Sequence, residues 1–200
     1  MTNFIGKPAP NFVAPAIMPD NSLNAEFDLN EHRMGFPCIL FFYSLNFSYV
    51  CPTEIIAFQN RLTEFKKRKT YVVGVSCDSH LSHLAWKKTP VAEGGIGNVH
   101  FPLVSDITRT ITSTYDVQIN NTVAHRATFL IDPDGYVRYQ SIYDSPFGRD
   151  VDELLRVVDA FQYHMESGQV CPAGWRPGQP AIEQSEQGTA SYLAKNADTL

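Results

Sequence analysis

The chain has no Cys-x-x-Cys pair. Its four cysteines stand apart at positions 38, 51, 77 and 171, a spacing that counts against a zinc ribbon and against a dithiol oxidoreductase. No apolar run approaches the roughly 20 residues needed to span a bilayer. The N-terminus, Met1-Thr2-Asn3-Phe4-Ile5-Gly6-Lys7-Pro8, shows no charged leader followed by an apolar stretch, so no secretory signal is visible and a cytoplasmic protein is expected. In that reducing setting, scattered cysteines do not make a static disulfide framework. Basic charge is also scarce: 16 Lys and Arg stand against 21 Asp and Glu, for a net charge of -5 and a pI near 5.6. This argues against nucleic-acid binding, which needs clustered cations. The one dense basic run, Lys66-Lys67-Arg68-Lys69, falls where the first long helix should end, and there it complements the negative end of the helix dipole. Neither an internal repeat nor a low-complexity tract is found.

What is present is enough apolar material, 44% of 200 residues, for one compact domain with an arm. Cys38 to Tyr43 is a continuous apolar run, as expected of a strand buried on both faces. Pro52 to Lys69 repeats Ile55, Phe58, Leu62 and Phe65 at helical spacing. Tyr71 to Ser76 is the next strand, so this strand–helix–strand unit implies parallel pairing. A helix over about 79–88, a short strand over 99–104 and a helix capped by Asp106 and running to Tyr115 follow. Ala127–Ile131 and Tyr136–Ile142 flank Asp132-Pro133-Asp134-Gly135, which predicts an antiparallel hairpin. A last helix spans 150–167 and meets Gly168 at its stop. The expected fold is α/β, a mixed sheet with helices on both faces over residues 1–167. Residues 168–200, broken by Pro172, Gly174, Pro177, Gly178 and Pro180, read as an extended C-terminal arm.

The candidate chemistry sits at Cys51, where a strand and a turn give way to a helix. Unpaired N–H groups and the positive end of the dipole favour an anion there, and should lower the thiol from its free value of about 8.5. Pro52 suits the first helical position, and Glu54 has the spacing of a reciprocal cap. A buried structural cysteine is the competing reading, and Pro52-Thr53-Glu54 favours the reactive one. Cys171 lies in an arm with no core of its own. It could resolve an oxidised Cys51 of the same or a partner subunit or be an incidental exposed thiol; position alone leaves both open.

Phe42-Tyr43-Ser44-Leu45-Asn46-Phe47-Ser48-Tyr49-Val50-Cys51-Pro52-Thr53-Glu54, together with Val170-Cys171-Pro172, resembles the typical two-cysteine peroxiredoxins, the group that includes the peroxide-reducing component of alkyl hydroperoxide reductase and the thiol-specific antioxidant proteins. Further support comes from Asp78-Ser79-His80, His83-Leu84-Ala85-Trp86, Gly94-Gly95-Ile96-Gly97, Phe129-Leu130-Ile131-Asp132 and Pro146-Phe147-Gly148-Arg149. The resemblance runs from about Phe4 to the C-terminus. It implies a thioredoxin-like fold, with Cys51 as the peroxidatic nucleophile and Ser48 contacting the peroxide. It also implies that Arg126 supports the thiolate and polarises the substrate, and that Glu54 and Arg149 orient Arg126. By the same resemblance, Cys171 of the neighbouring subunit condenses with the Cys51 sulfenic acid. Thioredoxin or a dedicated flavoprotein disulfide reductase resets the disulfide, no metal or organic cofactor is needed, and dimers assemble as a decamer of five. An oligomeric holdase chaperone or redox-signalling protein is the alternative from another class.

The chain departs from the family pattern in two places. Ser44 stands where the family has proline, and Asn46 where it usually has aspartate; Ser44 predicts a less rigid pocket around Cys51. Ser191-Tyr192-Leu193 replaces the Tyr-Phe pair of sensitive eukaryotic members. Cys77, His80 and His83 have a spacing that suggests a metal site, but surface histidines are the plainer expectation. Cys38 and Cys77 read as small core residues, and Trp86 and Trp175 as packing or interface residues.

Overall fold

Val13–Ile17 (β1) and Leu23–Asp28 (β2) pair as an antiparallel hairpin, in the structure obtained as a computed structural model that describes residues 2–200. Asp28 then caps Leu29–Arg33 (α1), its carboxylate accepting from the Glu31 N–H. The order continues with Cys38–Phe42 (β3), Cys51–Lys67 (α2), Tyr71–Ser76 (β4), His80–Lys88 (α3), Leu103–Ser105 (β5) and Thr110–Thr114 (α4). Gln118–Ile119 (β6) and Val123–Ala124 (β7) form a separate small ladder, and Arg126–Ile131 (β8) and Val137–Tyr143 (β9) the predicted hairpin. Val151–Ser167 (α5) and Glu186–Asn196 (α6) complete the chain's α-helices. The main sheet has seven strands in the order β2-β1-β5-β4-β3-β8-β9. β3, β4 and β5 run parallel, and the flanking pairs are antiparallel, so the sheet is mixed as expected.

β3 is wholly buried, and its alternation explains why helices cover both sides of it. Phe41 faces α2 and stacks on Phe58 with ring centroids 4.2 Å apart. Phe42 faces the other way and packs on Tyr115, just past α4, at 5.2 Å. Gly74 in β4 has no substitute here: a Cβ would stand 2.8 Å from the Phe41 ring. The Asp132 side chain closes the β8–β9 turn by accepting from the Tyr136 N–H at 2.8 Å.

The chain divides into two compact units at Val151 and Asp152. In the second, α5 ends at Gly168, whose φ of 70° is the left-handed stop that glycine supplies. Val170 and Ile182 then exchange two backbone hydrogen bonds at 2.9 Å. Trp175 is buried against Tyr163, and Arg156 donates to its carbonyl at 3.1 Å.

Three expectations change. The strand expected over 99–104 is only β5, because Pro102 has no N–H to give a ladder and the His100 N–H goes to the Gln59 side chain. Asp106 does cap a helix, but from a distance: its carboxylate accepts from Ile111 and Thr112, so α4 starts at Thr110. The C-terminal segment is not extended throughout, since Ser185 caps α6 by accepting from the Gly188 N–H at 2.9 Å. Among the described residues no helix is long and apolar enough to cross a membrane.

Candidate active site

Cys51 is the first residue of α2, buried, with Val50 as the N-cap. No side chain caps this helix, so the reciprocal cap expected of Glu54 does not form. The Glu54 carboxylate turns inward because two guanidinium groups meet it there, a stronger partnership than one N–H at a helix end. Arg149 donates to Oε1 through Nε at 2.9 Å and to Oε2 through Nη2 at 3.0 Å, and its backbone N–H reaches Oε1 at 3.0 Å. Arg126 Nη1 reaches Oε2 at 2.6 Å.

Arg126 begins β8, the strand beside β3, which carries its side chain to the end of the sheet where Cys51 lies. Its Nε is held by the Ser145 carbonyl at 2.8 Å, and Nη1, which also donates to Glu54, approaches Cys51 Sγ at 3.2 Å. Arg149 is fixed in turn by the Ala127 carbonyl at 2.9 Å and lies over the Phe41 ring. Ser44 Oγ stands 3.2 Å from Cys51 Sγ. Thus the serine that should have loosened the pocket is itself bonded to the sulfur.

Burial alone would push the Cys51 thiol up. Hydrogen bonds from Ser44, Ser48, the Leu45 backbone and Arg126 together outweigh it and hold the thiol below its ordinary value. Ser48 has one proton to share between the sulfur and the Leu45 carbonyl 2.8 Å away, so its hydroxyl rotates to serve either the thiolate or a substrate. Glu54 follows the same logic: burial raises it, but Arg149 and then Arg126 hold it below the usual carboxylate range. The other thiols differ. Cys38 is pushed up to about 12 by burial, and burial also raises Cys77. Cys171, in the second unit, is half-buried with its sulfur 3.6 Å from the Ala160 carbonyl, and burial raises it too.

Asn46, the second departure from the family pattern, is buried. Its amide donates to Ser82 Oγ at 2.9 Å and to His83 Nδ1 at 3.0 Å, while its Oδ1 accepts from the Tyr43 hydroxyl at 2.9 Å. His83 Nε2 faces the Val104 carbonyl at 3.1 Å. A carbonyl only accepts, so Nε2 carries the proton and Nδ1 is the acceptor. The Asn46 N–H adds a bond to Asp78 at 2.9 Å. This network ties the loop before Cys51 to α3 and the ends of β4 and β5. His83 is therefore no surface histidine, and Cys77, His80 and His83 do not converge. Among the described residues, no three His, Cys, Asp or Glu side chains are placed to hold a metal ion.

A lowered, hydrogen-bonded thiolate beside a fixed guanidinium can attack an electrophile that leaves as an anion. Comparison with known proteins names the chemistry. The AhpC/TSA family pattern matches residues 5–140, and that of the C-terminal domain of 1-Cys peroxiredoxin matches residues 160–195. The chain belongs to the AhpC/TSA family of peroxiredoxins. It is 47% identical to alkyl hydroperoxide reductase C of Helicobacter pylori over 98% of this chain and 99% of that one. It is also 47% identical to peroxiredoxin-1 of Gallus gallus over 96% of each. The reduced 2-Cys peroxiredoxin of Plasmodium vivax superposes with a TM-score of 0.94 at 44% identity, covering 97% of this chain and all of that one. The protein is a thiol-dependent peroxidase with the thioredoxin-like peroxiredoxin fold.

Sequence reasoning placed Cys51, Glu54, Arg126 and Arg149, and the structure brings these four together. It missed Ser44 as a donor to the sulfur and the Asn46–His83 network. The signal for Ser44 was the departure itself: a hydroxyl in place of a proline ring, next to a nucleophile.

Proposed function

We propose that Cys51 is the peroxidatic nucleophile of this peroxidase. The observation that carries the reading is the 3.2 Å approach of Arg126 Nη1 to Cys51 Sγ, with Glu54 and Arg149 fixing that guanidinium. The Cys51 thiolate attacks the terminal oxygen of hydrogen peroxide or of an organic hydroperoxide. An S–O bond forms, the O–O bond breaks, and Arg126 stabilises the charge on the departing oxygen until it is protonated to water or alcohol. Ser44 holds the thiolate before attack, and Ser48, after rotation, orients the peroxide.

Cys51 is left as a sulfenic acid, two electrons oxidised. In our reading residues 168–200 are the arm that delivers Cys171 of a neighbouring subunit, whose thiolate attacks the sulfenic sulfur and expels the oxygen as water. Thioredoxin or a flavoprotein disulfide reductase then supplies two electrons in the cytoplasm. Pairing of chains is supported by β9, which lies at an edge of the seven-stranded sheet and is bridged by the N-terminal segment at its start, Val137. Exposed Leu45, Phe47 and Tyr49 beside Cys51 support further assembly of dimers, as a decamer of five.

Peroxide consumption with a thiol reductant tests the nucleophile: turnover should vanish in Cys51→Ser. Non-reducing electrophoresis tests the partner thiol, with a covalent dimer expected after peroxide and lost in Cys171→Ser. Persistent turnover in the first variant overturns the mechanism, and an oxidised monomer with an internal bond overturns the intersubunit step.

A further inference from the structure

The basic run at the end of α2 is split by the fold. Lys67 and Arg68 both pair with Glu64, at 2.7 and 3.1 Å. Lys66, in the last turn of α2, and Lys69, in a left-handed conformation just past the helix end, are instead both exposed and line one cavity of about 600 Å³. Its walls are largely apolar: Phe36, Leu62, Tyr71, Val72, Phe101 and Pro102. His32 adds an aromatic wall, its ring 5.1 Å from that of Tyr71, and burial lowers its basicity. None of the side chains lining the cavity is acidic, and the nearby Glu64 is already engaged. Volume and lining fall within the range of small-molecule sites.

We propose that this cavity binds amphipathic carboxylates, with the apolar body against Phe36, Leu62, Tyr71 and Phe101 and the carboxylate between Lys66 and Lys69. An apolar floor alone would accept any greasy molecule. Two lysine ammonium groups at one cavity, with no carboxylate among the lining residues, select an anionic head over a neutral one. Leu62 and Lys66 lie near the opposite end of α2 from Cys51, about 17–22 Å along the helix axis at 1.5 Å per residue, so the bound molecule touches no group of the peroxidase site. The site is separate from the proposed catalytic reading and does not depend on it.

Displacement of anilinonaphthalene sulfonate, followed by fluorescence on the reduced full-length protein, tests the proposal with decanoate and decanol as probes of equal apolar body. Decanoate should bind about tenfold more tightly than decanol, as two surface charge pairs allow. The double variant Lys66→Gln, Lys69→Gln should erase that difference while leaving decanol binding and peroxide turnover unchanged. Phe36→Ala, at a partly exposed position, should weaken both probes with little effect on thermal stability. Equal binding of decanoate and decanol, unchanged decanoate affinity in the double variant, or unchanged binding in Phe36→Ala would each overturn the proposal, as would the absence of saturable binding.

Discussion

Arg149 grips both oxygens of Glu54, Nε to Oε1 at 2.9 Å and Nη2 to Oε2 at 3.0 Å, and both side chains are almost wholly withdrawn from solvent. A bidentate pair of this kind fixes direction as well as charge. With Arg149 saturating one edge of the carboxylate, the remaining capacity of Oε2 points at Arg126 and aims it at Cys51.

Glu54→Gln should therefore harm stability and chemistry together. Removing one partner of a buried pair leaves guanidinium charge uncompensated, a loss of about 3–5 kcal/mol. The sign with pH follows from the lowered pKa of Glu54. Its contribution is complete above the ordinary carboxylate value and is lost as pH falls through the lower folded value. Urea unfolding of wild type and variant should differ most at neutral pH and converge in acid. Equal midpoints at neutral pH would show that the pair adds nothing.

Arg126→Ala should spare the fold and lose the chemistry, because Glu54 keeps Arg149 as its partner. Losing a donor aimed at developing charge typically removes about 2.7–4 kcal/mol of transition-state stabilisation, or 10²–10³ in rate. Stopped-flow measurement of Cys51 oxidation by peroxide reads this directly. A rate within a few-fold of wild type would remove Arg126 from the site.

Ser44→Ala removes one hydrogen bond to the thiolate. Hydrogen bonds to charged groups contribute about 1.5–3 kcal/mol, so the Cys51 thiol should rise toward its ordinary value. The pH profile of iodoacetamide alkylation gives the value. Ser44→Pro lacks the same donor and should shift the profile in the same direction, despite its stiffer loop. An unmoved profile in both would mean that the thiol is set without Ser44, by Arg126, Ser48 and the Leu45 backbone.

The sheet was legible because its strands carry their own evidence. Cys38–Phe42 has no polar residue to place at a surface, and Asp132-Pro133-Asp134-Gly135 can do little but turn. The N-terminal hairpin of Val13–Ile17 and Leu23–Asp28 went unread because one of its strands is mostly exposed, so no alternation marks it. In the site, Cys51 was legible from a local cue, a thiol at a helix start. Arg126 and Arg149 lie 75 and 95 positions from the side chains they serve, and the family resemblance supplied what local pattern could not. The Glu54 cap failed for the same reason: spacing along a helix says nothing of two guanidinium groups arriving from elsewhere. The burial of His83 was hidden too, since its partners come from two remote segments, Tyr43 and Asn46 in the loop after β3 and Val104 in β5.

That network predicts how stability should vary in mild acid. Burial lowers the His83 imidazole from its ordinary 6.5 to about 4, against the opposing pull of the Asp78 carboxylate. Unfolded chains bind that proton below 6.5 and folded chains do not until about 4. The stabilising effect of a neutral His83 is complete above 6.5 and declines as pH falls toward 4. At about pH 5 the loss amounts to roughly 2 kcal/mol. Glu54 acts below its ordinary carboxylate value and so leaves this window largely to histidine. His32, also lowered by burial, adds slope of the same sign, which makes the difference between wild type and His83→Gln the quantity to measure. Glutamine keeps one donor for the Val104 carbonyl and one acceptor for Asn46 but cannot titrate. Urea unfolding at about pH 7 and pH 5 should show a smaller loss in the variant, by about that amount, and parallel losses in the two proteins would show that His83 is charged in the folded chain.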